Sequence, residues 1–282
     1  MNTMTDAHDS QPLPQPDFGA PNVERADWAS MPDLPLPPLL DPASQTALFL
    51  DFDGTLVEIA ERPGAVVVPP DLPGLLVRLA SALDGRFAIV SGRSLAALDS
   101  LLGPIGVAMA GSHGGEFRPA GSSEILAEAD PLPAEAVSAF VDFAKGYPGL
   151  IVEPKPFSVA VHYRQVPQAR DALLEASAKV AAQFGLGIKH GKQVAELSMP
   201  GSDKGTAVSR FMAMPPFASS TPIFLGDDVT DEDAFNVLGR FGGSGVLIGP
   251  MRDTAARWRL PDVTAVHEWL AATKFDNGEA QA

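Results

Sequence analysis

Short apolar segments alternate with helical patterns from residue 47 onward, and this alternation constrains the fold more than any other feature of the chain. Five segments are too short for surface helices and too continuously apolar for strands with one face in water. They are ALFL (47–50), FAIV (87–90), VAMA (107–110), IFL (223–225) and VLI (246–248). Helical patterns lie between or after them, at Leu72–Leu83, Leu95–Leu102, Lys204–Met212, Asp231–Leu238 and Thr264–Lys274. Strands buried on both faces and joined by helices predict an α/β core built on a parallel sheet.

The middle of the chain has a different pattern. Two amphipathic helical segments, Ala134–Tyr147 and Gln168–Phe184, alternate with strand-like segments at 150–155, 158–164 and 191–199. We expect residues 118–196 to form an α+β domain inserted into a doubly wound parallel-sheet (Rossmann-like) core made of residues 44–117 and 197–282. A domain inserted above the ends of the strands is a candidate cap that closes over a bound ligand.

Residues 1–43 contain nine prolines and few apolar clusters. Proline lacks a backbone donor, and a segment with little apolar area to bury does not fold alone. We therefore predict a disordered tail, with the part from Trp28 to Leu40 lying against the folded body through its leucines.

Charge and composition exclude several classes of function. The net charge of −15 argues against nucleic-acid binding, which needs a basic surface. Cysteine is absent, so neither disulfides nor thiolate metal sites can form, and the chain suits a reducing compartment. No apolar run approaches the ~18 residues of a membrane span, and the N-terminus lacks the apolar segment of a signal peptide. We expect a cytoplasmic protein, a monomer, with no nucleic-acid or membrane partner.

Polar residues follow the apolar segments at the place where open parallel sheets bind ligands, beyond the carboxyl ends of the strands. Asp51-Phe-Asp53-Gly54-Thr55 follows the first segment, Ser91-Gly92-Arg93 the second, Gly111-Ser112-His113-Gly114 the third and Gly226-Asp227-Asp228 the fourth, while Lys204 opens a helix. Buried carboxylates without partners are costly, and together they repel a phosphate. Mg²⁺ removes both obstacles, since it takes oxygen ligands and keeps positions for water and substrate. The pattern therefore predicts a phosphate site with bound Mg²⁺.

The same residue types can carry out phosphoryl transfer. One carboxylate can attack phosphorus as a nucleophile, and a second carboxylate two residues away can protonate the leaving oxygen and later deprotonate water. Ser91 and the backbone N–H groups near Gly54 and Gly92 can hold phosphoryl oxygens. Lys204 can offset the charge of the nucleophile and of the transferred group.

Four motifs in this order resemble the haloacid dehalogenase-like phosphatase superfamily. They are Asp51-Phe-Asp53-Gly54-Thr55-Leu56, Ser91-Gly92-Arg93, Lys204-Gly205 and Gly226-Asp227-Asp228. The resemblance implies that Asp51 is the nucleophile and Asp53 the general acid and base. It also implies that Asp51, the Asp53 carbonyl and Asp227 hold Mg²⁺, with Ser91 on the phosphate and Lys204 as the neutralising cation.

Further motifs resemble the trehalose-phosphate phosphatase family over most of the chain from Ala47 to about Leu270. They are GSHGGE (111–116), EPKPFSVAVHYR (153–164), GKQVAEL (191–197) and GDDVTDEDAF (226–235). The resemblance implies Mg²⁺-dependent hydrolysis of trehalose 6-phosphate to trehalose and phosphate. Substrate contacts are then expected from Gly54, Thr55, Gly92, Arg93, His113, Glu116, Lys155, His162, Arg164, Gly191, Lys192 and Glu196. Asp231 is expected behind the metal ligands and Asp228 is expected to orient its neighbours, whereas Asp233 opens a helix, where a carboxylate favours the dipole.

Alternatives remain open at this stage. Asp-Gly at 53–54 is also a common turn dipeptide, and hairpin histidines such as His162 are often simply packed. The core motifs bind only phosphate and metal, so sucrose phosphate, another sugar phosphate or a phosphomutase reaction fits them too. A catalytically silent sugar-phosphate-binding regulator is a further alternative. A phospho-accepting receiver domain fits the strand ends but not the chain length or the inserted block.

Overall fold

A computed structural model describes residues 33–60, 62–127, 130–155, 157–191, 193–200 and 203–273. Most of the predicted tail and Lys192, a predicted sugar contact, therefore lie outside the described residues. Within the described part of the chain there are twelve strands: β1 (Thr46–Leu50), β2 (Phe87–Val90), β3 (Ala108–Gly111), β4 (Glu116–Arg118), β5 (Leu126–Ala127), β6 (Ile151–Pro154), β7 (Ser158–His162), β8 (Gly187–Gly191), β9 (Val194–Ser198), β10 (Thr221–Gly226), β11 (Ser244–Ile248) and β12 (Trp258–Leu260). The α-helices of the same residues are α1 (Leu72–Ala82), α2 (Leu95–Leu102), α3 (Ala134–Lys145), α4 (Arg170–Phe184), α5 (Lys204–Met212), α6 (Glu232–Leu238) and α7 (Val263–Ala271).

The core is an eight-stranded sheet with the order β12-β11-β10-β1-β2-β3-β4-β5. Strands β12 to β3 of that order are parallel, and β4 and β5 continue the sheet in antiparallel pairing. Since the chain winds outward from β1 in both directions, the predicted doubly wound α/β core is confirmed.

Both faces of the sheet are buried, which explains the continuous apolar segments. Leu48 and Leu50 of β1 point to the face covered by α1, α2 and α7. Phe49 points to the opposite face, where α5 and α6 pack. Alternate side chains of a strand point to opposite faces, so a strand covered by helices on both sides needs apolar residues at every position.

A second sheet, with the order β6-β7-β9-β8, is antiparallel throughout. Its inner face packs on α3 and α4 through residues such as Val159, Val161 and Leu197. The alternate residues of β7 and β9, including His162 and Glu196, face away from these helices. This polar face is turned toward the carboxyl ends of the core strands, because Glu196 contacts His113, which follows β3.

Sheet membership bears on the limits of the inserted domain, which the sequence predicts as residues 118–196. Residue 118 ends β4, and β5 at Leu126–Ala127 pairs with β4 in the core sheet. At the other limit, β9 runs to Ser198 in the second sheet. We propose that the cap comprises about residues 130–199, because sheet membership assigns 118–127 to the core.

Residues 33–40 lie along the core. Arg259 donates to both carboxylate oxygens of Asp33 at 2.6 and 2.7 Å, and the Trp269 indole donates to the carbonyl of Pro38 at 3.0 Å. Leu40 is buried, whereas Leu36 remains 71% exposed. The chain predicted as a tail therefore contacts the body from Asp33 onward. In the described part of the chain, no helix has the length and apolar character needed to cross a membrane.

Candidate active site

The predicted strand-end residues converge on one cleft between the core and the cap. Its lining includes, from the core, Asp51, Asp53, Gly92, Arg93, His113, Lys204, Asp227 and Asp228, and, from the cap, Glu153, Lys155, His162, Arg164 and Gln193. Most of the residues predicted to act on phosphate thus lie together with most of those predicted to contact sugar. The short distance between motifs more than a hundred residues apart in sequence follows from the parallel sheet, which brings the carboxyl ends of β1, β2 and β10 to one edge.

Asp51 and Lys204 form the buried centre of the site. Asp51 follows β1 directly and is 4% exposed, and Lys204, the first residue of α5, is 2% exposed. The Lys204 ammonium lies 2.9 Å from Oδ1 of Asp51 and 2.6 Å from Oδ1 of Asp231. Asp203 caps α5 by accepting a hydrogen bond from Thr206 N at 2.7 Å, which fixes where the lysine leaves the helix.

Burial sets the electrostatics of this centre. Burial raises the pKa of Asp51 well above its ordinary value; Lys204 lowers it, and Asp231 and Asp227 raise it further. Burial opposes the charge of Lys204, but the Asp231 and Asp51 carboxylates outweigh it and raise the pKa of Lys204. Lys204 therefore stays charged, and additional positive charge beside Asp51 would favour its ionised form.

Three carboxylates could hold a cation here. One oxygen each of Asp51, Asp227 and Asp231 lies within 4.8 Å of the others, and all three residues are buried. The Asp227 carboxylate lies against Gly54, which has a φ of +77° and where a Cβ would be 2.2 Å from Oδ2. Hard oxygen donors crowded around one point suit Mg²⁺.

Asp53 and Arg93 form a bidentate ion pair. The guanidinium donates to the two Asp53 oxygens at 2.6 and 2.7 Å, and it lies 5.7 Å from the centre of the Phe52 ring. Burial lowers the pKa of Arg93, but the hydrogen bond and charge of Asp53 raise it to a greater extent. Asp53 and Arg93 both line the cleft, so the ion pair places a negative and a positive charge there side by side.

The turn after β2 is built for close backbone approach. Ser91 is buried, and its hydroxyl accepts a hydrogen bond from Arg93 N at 3.1 Å. Ser94 caps α2 by accepting a hydrogen bond from Ala97 N at 3.3 Å. Neither Ser91 nor the buried Thr55, both predicted at the phosphate, is among the residues that line the cleft.

His113 stands in a strained turn beside Gly92. Ser112 and His113 have φ values of 49° and 56°, in the left-handed region that residues with side chains rarely adopt. A Cβ at Gly92 would lie 2.7 Å from the His113 ring, so only glycine allows this contact. Burial lowers the pKa of His113 to about 4, against an opposing effect of Glu196. His113 is thus neutral near pH 7.

Lys155 and Glu196 connect the cap to the core. The Lys155 ammonium donates to Gly92 O and to Glu196 Oε2, both at 3.2 Å. Glu196 Oε2 also lies 3.3 Å from Nε2 of His113. Burial alone would raise the pKa of Glu196, but the effects of Lys155 and His113 together outweigh burial. The pKa of Glu196 therefore lies well below its ordinary value. The cap therefore brings an ionised carboxylate to His113 and an ammonium to the turn at Ser91–Arg93.

Two more cap residues lie at the mouth of the cleft. His162 Nε2 is 2.8 Å from Oε2 of Glu153, and Arg164 donates to Ala60 O at 3.0 Å and to Gln193 Oε1 at 3.1 Å. Glu153 and Gln193 were not among the predicted site residues. Glu153 could have been found, because it stands two residues before Lys155 and so on the same side of the strand.

Glu116 lies elsewhere than predicted. It is buried and does not line the cleft; its Oε2 accepts hydrogen bonds from Leu95 N and from the Ser112 hydroxyl, both at 2.9 Å. Gly191 ends β8. The position of Lys192 is outside the described residues.

Asp228 and Asp231 organise the loop after β10. The Asp228 amide donates to Oδ2 of Asp231 at 2.8 Å, and the Asp228 carbonyl accepts from Arg252 at 2.8 Å. Asp231, with no exposed surface, thus uses one oxygen for the loop and the other for Lys204. Asp233 lies in the first turn of α6 and does not line the cleft.

Comparison with solved structures identifies the class of fold. A haloacid dehalogenase-like hydrolase from Bacteroides thetaiotaomicron superposes with a TM-score of 0.59 at 17% identity, covering 81% of this chain and 98% of that one. The C-terminal domain of C. albicans trehalose-6-phosphate phosphatase superposes with a TM-score of 0.73 at 26% identity, covering 84% of this chain and 97% of that domain. The chain has the α/β fold of haloacid dehalogenase-like hydrolases and is a phosphoric monoester hydrolase.

Sequence comparison narrows this class to a family. The family model described as trehalose-phosphatase matches residues 49–264. Trehalose-6-phosphate phosphatase of Escherichia coli (strain K12) is 40% identical over 230 residues, which are 81% of this chain and 86% of the relative. The chain belongs to the trehalose-phosphatase family, and the predicted resemblance is confirmed.

Proposed function

We propose that this protein is a Mg²⁺-dependent phosphatase that hydrolyses trehalose 6-phosphate to trehalose and inorganic phosphate through an aspartyl phosphate at Asp51. The observation that carries the proposal is the contact of the cap residues Lys155 and Glu196 with Gly92 and His113, on the cleft that contains Asp51. Relatives that share the family carry this substrate in their names. The cytoplasmic location and the monomeric state predicted from the sequence are part of the proposal.

The first step uses Asp51 as nucleophile. A carboxylate oxygen attacks phosphorus while the bond from phosphorus to the sugar oxygen breaks, and that oxygen takes a proton from Asp53. Lys204, held 2.9 Å from Asp51, stays charged and offsets the negative charge that gathers there. For Asp53 to donate, its carboxyl has to exchange Arg93 for the leaving oxygen, which frees the guanidinium for the phosphoryl group.

The second step releases phosphate. Asp53 now accepts a proton from the water that attacks phosphorus, and the bond from phosphorus to Asp51 breaks to regenerate the carboxylate. The Ser91 hydroxyl and the backbone N–H groups near Gly54 and Gly92 would hold the phosphoryl oxygens, since glycine allows close backbone approach. Lys155 lies over this turn and limits the access of bulk water.

The residues fit a bound Mg²⁺. Asp51, Asp227 and the backbone carbonyl of Asp53 would hold it, and Asp231 lies behind them against Lys204. When bound, Mg²⁺ supplies the positive charge that allows crowded carboxylates and a phosphate dianion to approach each other. The raised pKa of Asp51 fits this proposal, because that carboxyl needs a further cation to stay ionised.

The cap supplies groups suited to a disaccharide. Sugar hydroxyls both donate and accept, and the cap offers an acceptor in Glu153 and donors in Lys155 and Arg164, while the buried Glu196 holds Lys155. A site of paired polar groups discriminates strongly, since an analogue without the matching hydroxyl leaves a buried group without a partner. These residues favour a polar sugar over an aryl or alkyl group.

Phosphate release from trehalose 6-phosphate, with Mg²⁺ and after its removal by a chelator, tests the reaction. Turnover that needs Mg²⁺ and is lost in Asp51→Asn is expected. Asp142→Asn, an exposed replacement of the same kind on α3, is the matched control and should keep full turnover. Substantial turnover by Asp51→Asn would remove Asp51 as nucleophile, and full activity after chelation would remove the metal.

A further inference from the structure

Glu116 joins two segments of the site without touching the cleft. It is the first residue of β4, and its side chain is buried behind the turn that carries His113. One carboxylate oxygen accepts two hydrogen bonds, each at 2.9 Å. The donors are Leu95 N, at the start of α2, and the Ser112 hydroxyl. Leu95 follows the Ser91–Arg93 turn in sequence, and Ser112 directly precedes His113.

The backbone ties the same two segments together. Ser112 N donates to Arg93 O at 2.7 Å, and His113 N donates to Ser91 O at 2.9 Å. These bonds hold Ser112 and His113 at positive φ, a conformation that residues with side chains keep only where the surrounding structure imposes it. The carboxylate of Glu116 adds the only side-chain bond to the Ser112 hydroxyl among the described residues.

We infer that Glu116 is a positioning residue and not a sugar contact. It fixes the position of His113 relative to the turn at Ser91–Arg93. It acts through Ser112 and Leu95, because its own oxygens do not reach the cleft. A carboxylate suits this place, since it accepts two bonds at one oxygen and lies at the positive N-terminal end of α2. The inference rests on the proposed function only for what the positioned groups do, not for their placement.

The placement can be tested without substrate. The His113 ring can be followed by NMR through a pH titration, with the signal assigned by its loss in His113→Asn. Burial lowers the His113 pKa to about 4. In Glu116→Ala the turn loses its support and the ring gains water, so the His113 pKa is expected to rise toward 6.5, whereas Glu116→Gln, which keeps an acceptor, should titrate like the wild type. An unchanged titration in Glu116→Ala would overturn the inference.

Activity then separates positioning from general stability. We expect Glu116→Ala to lower kcat/KM by about a hundredfold, since a misplacement of ~1 Å is that costly, and Glu116→Gln to restore most of it. In a His113→Ala background, Glu116→Ala should cost less than about threefold more, because the group that it positions is gone. If the kcat/KM losses of Glu116→Ala and His113→Ala multiply in the double variant, the inference is contradicted. Ser177→Ala, which removes a buried hydroxyl bond in the cap helix α4, is the control for lost stability alone and should keep kcat/KM.

The same experiments distinguish failure of the inference from failure of the proposed function. If the wild type does not hydrolyse trehalose 6-phosphate, the proposed function fails and the His113 titration still decides the role of Glu116. If the wild type does hydrolyse it and Glu116→Ala leaves both titration and turnover unchanged, only the inference fails.

Discussion

Lys204 lies 2.6 Å from Asp231, closer than the 2.9 Å that separates it from Asp51. The side chains of Lys204 and Asp231 are 3% and 0% exposed, so this ion pair is almost fully withdrawn from water. Asp231 accepts the Asp228 amide with its second oxygen. The lysine is therefore anchored from behind by one carboxylate while it faces the proposed nucleophile, which fixes the direction of its charge.

Replacing Lys204 tests the neutralising role. We expect Lys204→Met to lower kcat roughly a hundred- to thousandfold, because one preorganised charge contributes about 3–4 kcal/mol to transition-state stabilisation. Loss of the lysine also leaves the buried carboxylates of Asp51 and Asp231 without this ammonium, so thermal unfolding should occur at lower temperature. Lys145→Met on the surface of α3 is the matched control. Comparable kcat values for both variants would contradict the assignment.

Asp231→Asn tests the anchor. Both partners of Asp231, the Lys204 ammonium and the Asp228 amide, are donors. An asparagine has one acceptor and one donor, so one of the two contacts must set donor against donor. We expect a free energy of unfolding lower by roughly 1–3 kcal/mol and a clear fall in kcat. Urea unfolding and phosphate release measure these, with Asp142→Asn as the comparison; unchanged values in both would exclude the anchoring role.

Glu196→Gln tests the division of labour between cap and core. Because Glu196 is ionised and holds Lys155, which lines the cleft, its replacement should weaken sugar recognition and leave the core chemistry intact. We expect kcat/KM for trehalose 6-phosphate to fall about a hundredfold, while p-nitrophenyl phosphate changes less than about threefold. Glu175→Gln, exposed on α4, serves as control. Equal losses for both substrates would place Glu196 in the chemistry itself.

His113 gives a prediction for pH and stability. Its pKa is lowered to about 4 in the folded protein from 6.5, chiefly by burial, so the unfolded chain binds the proton more readily. Between these values, falling pH therefore favours unfolding, and the contribution of His113 to stability is present above pH 6.5 and lost toward pH 4. The free energy of unfolding can be measured by urea titration at about pH 7 and at about pH 5. Between these two pH values, His113→Gln should lose less of it than the wild type, by on the order of 2 kcal/mol. Equal pH dependence would contradict the buried neutral state.

The sequence predicts the central strands well because their burial leaves a simple pattern. Strand β2 was predicted as Phe87–Val90, its observed span, since helices cover both faces. Strands β4 and β12 were missed because three residues, EFR and WRL, carry no periodicity of their own. Their place in the sheet depends on pairing with β3 and β11, which is a tertiary effect that the local sequence does not encode.

The site was predictable where backbone topology alone brings residues together. Asp51, Asp227 and Lys204 converge because parallel strands end at one edge. The role of Glu116 does not follow from topology, because its side chain lies behind the turn that carries His113. There it accepts hydrogen bonds from Leu95 N and the Ser112 hydroxyl. A sequence motif indicates which residues lie near each other. Which of their side chains face the cleft depends on packing.

A panel of sugar phosphates tests the central claim most directly. Initial rates of phosphate release with Mg²⁺ would be measured for trehalose 6-phosphate, sucrose phosphate, glucose 6-phosphate and other sugar phosphates. We expect a kcat/KM for trehalose 6-phosphate at least about tenfold above that for any other member, since the polar groups of the cap match the disaccharide. A higher value for another sugar phosphate, or binding of trehalose 6-phosphate without phosphate release, would contradict it.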